Sequence, residues 1–531
     1  MEVGSYTGRT ILLDLNGCLS DVRVNERRLN QTFLPWCAES DPLELFLGDY
    51  LHSGLNTLTA QLYARDGVVR FDLMASPRDR YIALYRASLA LVSALLLFLL
   101  LMRFKALGSC KDLVAALSLG LGFRILYGYS TSFWQRGHDW AEHLAYINYV
   151  AQHCSIPKAN GGYEFYHPPL YYFIGAGIKT LGLWAGLSEP TAQLMIQYFA
   201  LASSMVAVLA SLWVLAQQRS QCCARFVTAL LLASIPAPIL ISARISNDVL
   251  QLPLAALALA FMLHWWRTGR NISLLVASMC VALGVLTKLN TASIIVVLFV
   301  CLLCRAKQSL RQKFALTASL AVFLFACIGP YLYMRQNENS GRSLLGSYIV
   351  DGKPSMLIGD VLKLENSWRS YLTFNPLEMI KVPYNDPYAD SARRQYFWEY
   401  LFRSVFFGEF NFGDEILPVA KVIVALGCVT VIMVLIGLVA SCGKELYLHL
   451  PLHLTLGVTL AALLYFRMRS PFSPHQDFRL VSVLTMPAAV YLMRGMNFKS
   501  NKLNCTLATV ALFLAGYLGV FYVMVYLYAS N

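Results

Sequence analysis

LPVAKVIVALGCVTVIMVLIGLVA, residues 417–440, carries a single charge, Lys421. Wound as a helix, such a run crosses the roughly 30 Å of a bilayer's hydrocarbon and satisfies its own backbone there. Runs of the same kind lie near 82–102, 112–130, 191–216, 224–243, 248–266, 271–287, 290–304, 314–334, 449–466, 478–494 and 503–528. Together they predict about twelve transmembrane helices. A transmembrane β-barrel is excluded, because its strands would read as short alternating segments. Composition agrees: 57% hydrophobic residues, 14% charged residues and a mean hydropathy of +0.53 over 531 residues do not describe a soluble chain. The expected fold class is mainly α, a polytopic membrane protein.

The formal charge of +13 is sorted along the chain. Basic residues fill the short links between runs: Arg103, Lys105 and Lys111; Arg219 and Arg225; Arg267 and Arg270; Arg305, Lys307, Arg311 and Lys313; Lys444; Arg494, Lys499 and Lys502. Asp112 and Glu445 are the only acids among them. The positive-inside bias makes these links cytoplasmic. The basic balance is therefore topology, and nucleic acid is not an expected partner. Segments 131–190 and 335–416 fall on the opposite, extracytoplasmic side. Counting the apolar stretch 168–187 as a crossing would put Arg219 and Arg225 outside, so it is expected to lie at the outer interface.

Residues 1–80 are different in kind. They are polar and alternate in period two, as in Ile11–Leu15, Thr57–Tyr63 and Val69–Leu73, with turn signals at Asn16-Gly17, Ser53-Gly54 and Asp66-Gly67. This predicts a small extracytoplasmic β-sandwich-like segment, and the stretch from Asp14 to Asn25 with Gly54–Leu58 resembles part of a galactose-binding-like jelly roll. Cys18 and Cys37 are candidates for a disulfide there. The other cysteines read as packing residues, because none forms half of a paired zinc motif. The domain plan is then 1–80; an anchor at 82–102; a membrane module at 112–334 with its outer loop 131–190; an outer loop region at 335–416; and helices in 417–531. The anchor has no signal peptide before it, so it acts as a reverse anchor unless further chain precedes it.

The richest polar stretch is Gly137-His138-Asp139-Trp140-Ala141-Glu142-His143, just outside the second run. On a helix, Asp139, Glu142 and His143 share a face, where like charge and desolvation raise a carboxylate pKa toward that of a useful base. The same spacing also suits a solvated amphipathic face. Downstream comes Tyr163-Glu164-Phe165-Tyr166-His167-Pro168-Pro169-Leu170-Tyr171-Tyr172, where two prolines open an aromatic-rich helix.

This acidic helix followed by His-Pro-Pro-Leu-Tyr-Tyr resembles the first extracytoplasmic loop of the GT-C glycosyltransferases. Within them it is most similar to the protein O-mannosyltransferase and lipid A aminoarabinose transferase branch. The resemblance covers about residues 112 to 500 and implies a GT-C fold, a sugar donor on a polyprenyl phosphate, and Asp139 as the catalytic carboxylate. Ala243-Arg244-Ile245-Ser246-Asn247-Asp248 matches the family's second outer loop, making Asp248 a candidate second acid. Leu286-Thr287-Lys288 and His475-Gln476-Asp477-Phe478-Arg479, with Pro487 beyond, match two later patterns. The chain departs from the family in having Trp140 after Asp139 and Leu480 after Arg479. The implied substrate-binding set is Glu142, His143, Tyr166, His167, Arg244, Lys288, His475 and Arg479, with Arg479 on the lipid phosphate because a guanidinium fork matches phosphate oxygens. Lys288 and Arg479 also suit interfacial snorkelling. Asp139, Glu142 and His143 can ligate a divalent cation, but no second matched ligand set accompanies them and no metal is assigned.

The expectation is an inverting, mannosyltransferase-like enzyme moving a hexose or pentose to the hydroxyl of an extracytoplasmic glycan, lipid or protein. Asp139 takes the hydroxyl proton, while Arg479 and Lys288 stabilise the departing phosphate. The aromatic segment 335–416, with Trp368, Tyr371, Phe374, Tyr384, Tyr388, Tyr396, Phe397 and Trp398, suits either a cover for the cavity or an interfacial belt. Signatures of NTP-driven transport, zincin proteolysis and α/β-hydrolase chemistry are absent. Two rivals remain: a secondary transporter, disfavoured because the runs hold few charges beyond Arg124, and a non-catalytic GT-C-like glycan-binding scaffold. A bacterial plasma membrane is expected, with the endoplasmic reticulum as alternative; the sequons at Asn30, Asn271 and Asn504 do not decide between them.

Overall fold

Proline and charge decide where each apolar run begins and stops. The computed structural model describes residues 111–529 except 134, 138, 219, 307–308, 339–347, 351–352, 356–358, 444 and 498–499. It also describes 2–3, 10–15, 17–29, 36–37, 43–47, 50, 54–55, 57–64 and 71–75. In chain order the helices are α1 (Lys111–Ser130), α2 (Trp140–His153), α3 (Leu170–Trp184), α4 (Glu189–Ala216), α5 (Cys222–Ser234), α6 (Pro236–Ile241), α7 (Asp248–Thr268), α8 (Asn271–Val285), α9 (Ala292–Cys304) and α10 (Leu310–Asn337). They continue with α11 (Trp368–Leu372), α12 (Pro376–Lys381), α13 (Phe397–Phe407), α14 (Leu417–Ser441), α15 (Leu446–Arg469), α16 (Thr485–Gly495) and α17 (Asn501–Ala529).

The chain is a mainly helical, multi-pass membrane protein. Among the described residues, 8 helical segments are long and apolar enough to cross a bilayer, and 271–285 and 289–304 are shorter apolar helices. The expected count of about twelve is thus not reached in this form. The anchor at 82–102 lies outside the described residues, and the run 478–494 is not one helix. A 3₁₀ segment, Phe478–Leu484, precedes α16, with Val481 at φ −125°. Pro487, in the first turn of α16, cannot donate to the ladder and crowds the carbonyl four residues back, which disfavours an α-helix running on from Phe478. The run 224–243 breaks for the same reason: Ile235 is extended before Pro236, which opens α6. Helix α3 has 15 residues, fewer than a crossing needs, and ends on a Trp184 that is 87% exposed.

Small residues set the packing. Ala255, Ala256, Ala258 and Ala260 of α7 are buried in the main core, where α4 and α8 close on it. Helices α14 and α16 approach at Gly437 and Gly495: a Cβ on either would collide with the backbone carbonyl of Tyr491 or Met433 respectively. Arg124, buried within α1, donates Nε to Ser204 Oγ at 2.8 Å and Nη1 to the carbonyls of Gly120 and Ala233 at 3.0 and 2.8 Å. It joins α1, α4 and α5, so the main internal charge acts as a tether between helices, not as a group lining a transport path.

Among the described residues the amino-terminal strands pair only antiparallel: β1 (Glu2–Val3) with β7 (Gly54–Leu55), β2 (Thr10–Leu15) with β6 (Leu43–Phe46) and β9 (Phe71–Ala75), and β3 (Gly17–Val24) with β4 (Arg27–Arg28), β5 (Trp36–Cys37) and β8 (Leu58–Ala64). Cys18 is disulfide-bonded and stands opposite Cys37 in the β3–β5 register.

Candidate active site

The site forms where segments 131–169, 286–291, 362–416 and 470–484 gather at one end of the helices. Asp139 is the N-cap of α2, and His143 one turn on donates its backbone N–H to the Asp139 carbonyl at 3.0 Å. The Pro168-Pro169 pair then turns the chain into α3, whose first N–H, that of Leu170, reaches the carbonyl of Leu286 at 3.0 Å. This places the α3 entrance beside the Leu286-Thr287-Lys288 turn. Asn247 caps α7 and hands Asp248 to the same space.

One cavity of about 610 Å³ is lined by Asp139, His143, Tyr166, His167, Asp248, Lys288, His475 and Arg479. Residues drawn from four distant parts of the sequence therefore converge. Lys288 Nζ donates to Asp248 Oδ1 at 2.6 Å, and the Asp248 side chain is almost fully buried. Arg479 lies 3.8 Å from Glu409, whose other oxygen accepts from Tyr400 Oη at 2.7 Å. His167 Nε2 is 2.6 Å from Glu164 Oε2, and His143 Nδ1 is 2.8 Å from Tyr172 Oη.

Two predicted residues lie outside this lining. Glu142, half-buried on α2, has its carboxyl pushed up by burial and by the charges of Asp139 and Glu164. Arg244 is buried with its guanidinium 4.9 Å from the Phe410 ring centroid. Burial and the neighbouring Arg479 lower its pKa from the usual arginine value.

Electrostatics divide the cavity. Burial holds His143 and His475 down at about 4, so both imidazoles are neutral near pH 7 and serve as hydrogen-bonding groups, not cations. Arg479 is raised despite burial, because Glu409, Asp477, Asp248 and Asp139 surround it. Asp477 is pushed up to about 6 by burial and by Glu409, against the pull of Arg479. Lys288 and Arg479 are the two cations of a mixed-charge network with Asp248 and Glu409, and Asp139 lines the same cavity. On the other side the lining turns apolar: Val296 of α9 and Val458, Ala462, Leu463, Tyr465 and Phe466 of α15. Val296 and Tyr465 are exposed, so this wall opens on the hydrocarbon-facing surface.

Glu409, Asn247 and Glu164 line the cavity although the sequence alone did not single them out as site residues. Glu409 is a lone acid after the aromatic run Phe406-Phe407-Gly408, and that isolation was the available signal. Asn247 sits in a quoted motif; it is fully buried, and neither side-chain polar atom has a hydrogen-bond partner. Glu164 stood in a quoted motif too. Tyr388 is the one member of the expected aromatic cover that lines the cavity; Tyr384 and Phe397 are core residues, and Trp368 is 68% exposed. Among the described residues no group of three or more His, Cys, Asp or Glu side chains is placed to hold a metal ion.

Residues 167–333 match the family described as Dolichyl-phosphate-mannose-protein mannosyltransferase. That span includes His167, Arg244, Asp248 and Lys288, and excludes Asp139 and Arg479. No curated protein sequence matches the chain. Among solved structures, ArnT from Cupriavidus metallidurans bound to undecaprenyl phosphate is similar, with a TM-score of 0.47 and 13% sequence identity, over 80% of this chain and 77% of that one.

Proposed function

We propose that this protein is a membrane glycosyltransferase that moves a sugar from a polyprenyl-phosphate donor to an acceptor hydroxyl on the extracytoplasmic face. The observation that carries the reading is the single cavity itself. It holds a carboxylate, Asp139, opposite two cations, Lys288 and Arg479, and runs into an apolar wall open to the bilayer. An amphiphile with a phosphate between a sugar and a polyprenyl tail matches that order of surfaces. The family match at 167–333 supports the same donor class.

In the proposed reaction the tail lies along α9 and α15, and the phosphate meets Arg479 and Lys288. Asp139 accepts the proton of the acceptor hydroxyl as that oxygen bonds to the anomeric carbon, and the anomeric C–O bond to phosphate breaks with its electron pair. Attack opposite the leaving group inverts the anomeric centre. The phosphate leaves as an anion, so it needs cations more than a general acid. Asp248 is engaged by the Lys288 ammonium, which suits holding Lys288 in place better than donating a proton. Neutral His143, with His167, Tyr166 and Asn247, is placed to bind sugar hydroxyls. The segregated charge of the links supports reading this end of the molecule as the extracytoplasmic one, with a bacterial plasma membrane as the proposed location and the endoplasmic reticulum as the alternative.

The test is release of polyprenyl phosphate by purified protein from a panel of polyprenyl-phosphate sugars, wild type against Asp139→Asn. Loss of about 10²–10⁴ in rate is expected on removing the base. A folded Asp139→Asn protein that transfers at the wild-type rate overturns the assigned role. No release from any donor by the wild type overturns the reading as a whole.

A further inference from the structure

A second cavity, of about 630 Å³, lies against the first and shares only Pro387, Tyr388 and Glu409 with it. Its walls come from Gln135 and Arg136 beside α2, from the loop after α12 (381–392), and from residues 409–417 ahead of α14. Where the first cavity has an apolar wall of α9 and α15, this one has none: its exposed lining is Lys381, Asp386, Tyr388, Ser391, Asn411 and Asp414. Cations and acids are interspersed, so no strong single-sign field selects a polyanion.

The cleft is a built surface. Buried Arg403 donates to the carbonyls of Val382 at 2.8 Å, Tyr384 at 3.0 Å and Ala392 at 2.8 Å. Buried Asn385 donates to the carbonyls of Tyr400 at 3.1 Å and Gly408 at 3.0 Å. Ser473 and Arg394 both hold the Pro387 carbonyl, at 2.6 and 2.7 Å. The loop that forms the floor is therefore fixed at both ends and in its middle, which is the preorganisation a binding site needs.

We infer that this cleft is the acceptor subsite, that its ligand is a neutral saccharide, and that Tyr388 and Glu409 form the wall across which an acceptor hydroxyl reaches Asp139. The inference rests on the proposed transfer reaction. Donor and acceptor must enter by different routes, and a polar cleft abutting the reaction cavity on the side away from its apolar wall provides one. Saccharides bind through a ring packed on an aromatic face and through hydroxyls paired with amide, carboxylate and hydroxyl groups. Tyr388, half exposed, supplies the face, and Asp386, Ser391, Asn411 and Gln135 supply the polar partners.

The experiment uses the full chain in detergent with polyprenyl-phosphate sugar and, as probes, neutral trisaccharides of mannose, glucose and N-acetylglucosamine. Ser391→Trp and, independently, Lys381→Trp fill the cleft from exposed positions without touching the first cavity. The expected result is a rise of about tenfold or more in the trisaccharide acceptor KM, and a matching loss of trisaccharide binding, while the donor KM moves by less than about twofold. Wild-type turnover with acceptor KM and trisaccharide binding unchanged in both folded variants overturns the cleft assignment and leaves the transferase reading standing. Release of no polyprenyl phosphate by the wild type overturns both.

Discussion

Lys288→Met is the perturbation that separates the chemistry of this cavity from its architecture. The Lys288–Asp248 pair is 2.6 Å long, with side chains 13% and 2% exposed. At that separation, with an effective dielectric near 20, the gross attraction is about 6 kcal/mol. Removing one partner strands the other: an uncompensated buried carboxylate costs about 3–5 kcal/mol. Lys288→Met should therefore lower the thermal midpoint in detergent by several degrees and, by taking a cation from the leaving phosphate, cut transfer about 10²-fold or more. Adding Asp248→Leu removes the stranded charge, so the double variant should recover most of the stability and none of the activity. Unfolding can be followed by thiol labelling of Cys280 and Cys301, which are buried in the fold. A double variant that transfers at the wild-type rate refutes the role of the pair in catalysis, and a single variant as stable as wild type refutes the charge-burial argument.

Other consequences are as direct. Asp477, with a carboxyl near 6 where an unperturbed one titrates at 3.8, binds its proton more tightly folded than unfolded. Its contribution is present below pH 4 and is lost as pH rises through about 6. Asp477→Asn keeps the acceptor for the Arg479 N–H and should flatten the pH dependence of the thermal midpoint over that window; an unchanged slope would contradict the assignment. Gly437→Ala forces α14 and α16 apart and should cost about 1–3 kcal/mol or more, seen as a lower midpoint; a variant of unchanged midpoint would show that the helices do not meet there. Arg335 donates to the carbonyls of Pro157 at 2.9 Å and Phe165 at 2.6 Å, and Tyr331 donates to that of Tyr166 at 3.0 Å. Arg335→Ala should loosen the Tyr166-His167 segment and reduce kcat/KM for the donor about tenfold, with Tyr331→Phe showing a smaller loss; no change in either would make the contact irrelevant to the site.

Much of the fold was legible because a bilayer reduces the problem to a hydropathy count. Most helices begin and end within a few residues of the runs that predicted them, as with 417–440 against Leu417–Ser441. What hydropathy does not read is backbone continuity: the stretch 478–494 is apolar throughout, yet Pro487 divides it into a 3₁₀ turn and a short helix. That break matters to the site. The 3₁₀ turn holds Arg479, Leu480 and Val481 in the cavity lining and gives Asn290 Nδ2 the carbonyl of Leu480 at 2.8 Å.

The site itself was legible in its charges and not in its partners. Asp139, Asp248, Lys288 and Arg479 stood out because their local motifs resemble those of the GT-C glycosyltransferases, and all four line one cavity. Glu409 did not, since an acid in an 80-residue stretch between apolar runs looks like ordinary surface, and nothing separated Tyr388 from the seven other aromatics named in that stretch; only the folded loop, pinned by Arg403, Arg394 and Ser473, brings both to the wall shared by the two cavities. The loop's order is itself built from buried arginine contacts to backbone carbonyls, a pattern with no sequence period to betray it. In the proposed reaction the residues that face the donor lie at the ends of hydrophobic runs. Those that would select an acceptor lie on a loop whose shape depends on long-range hydrogen bonds, so acceptor specificity is the property least readable from sequence and most open to change by loop variation.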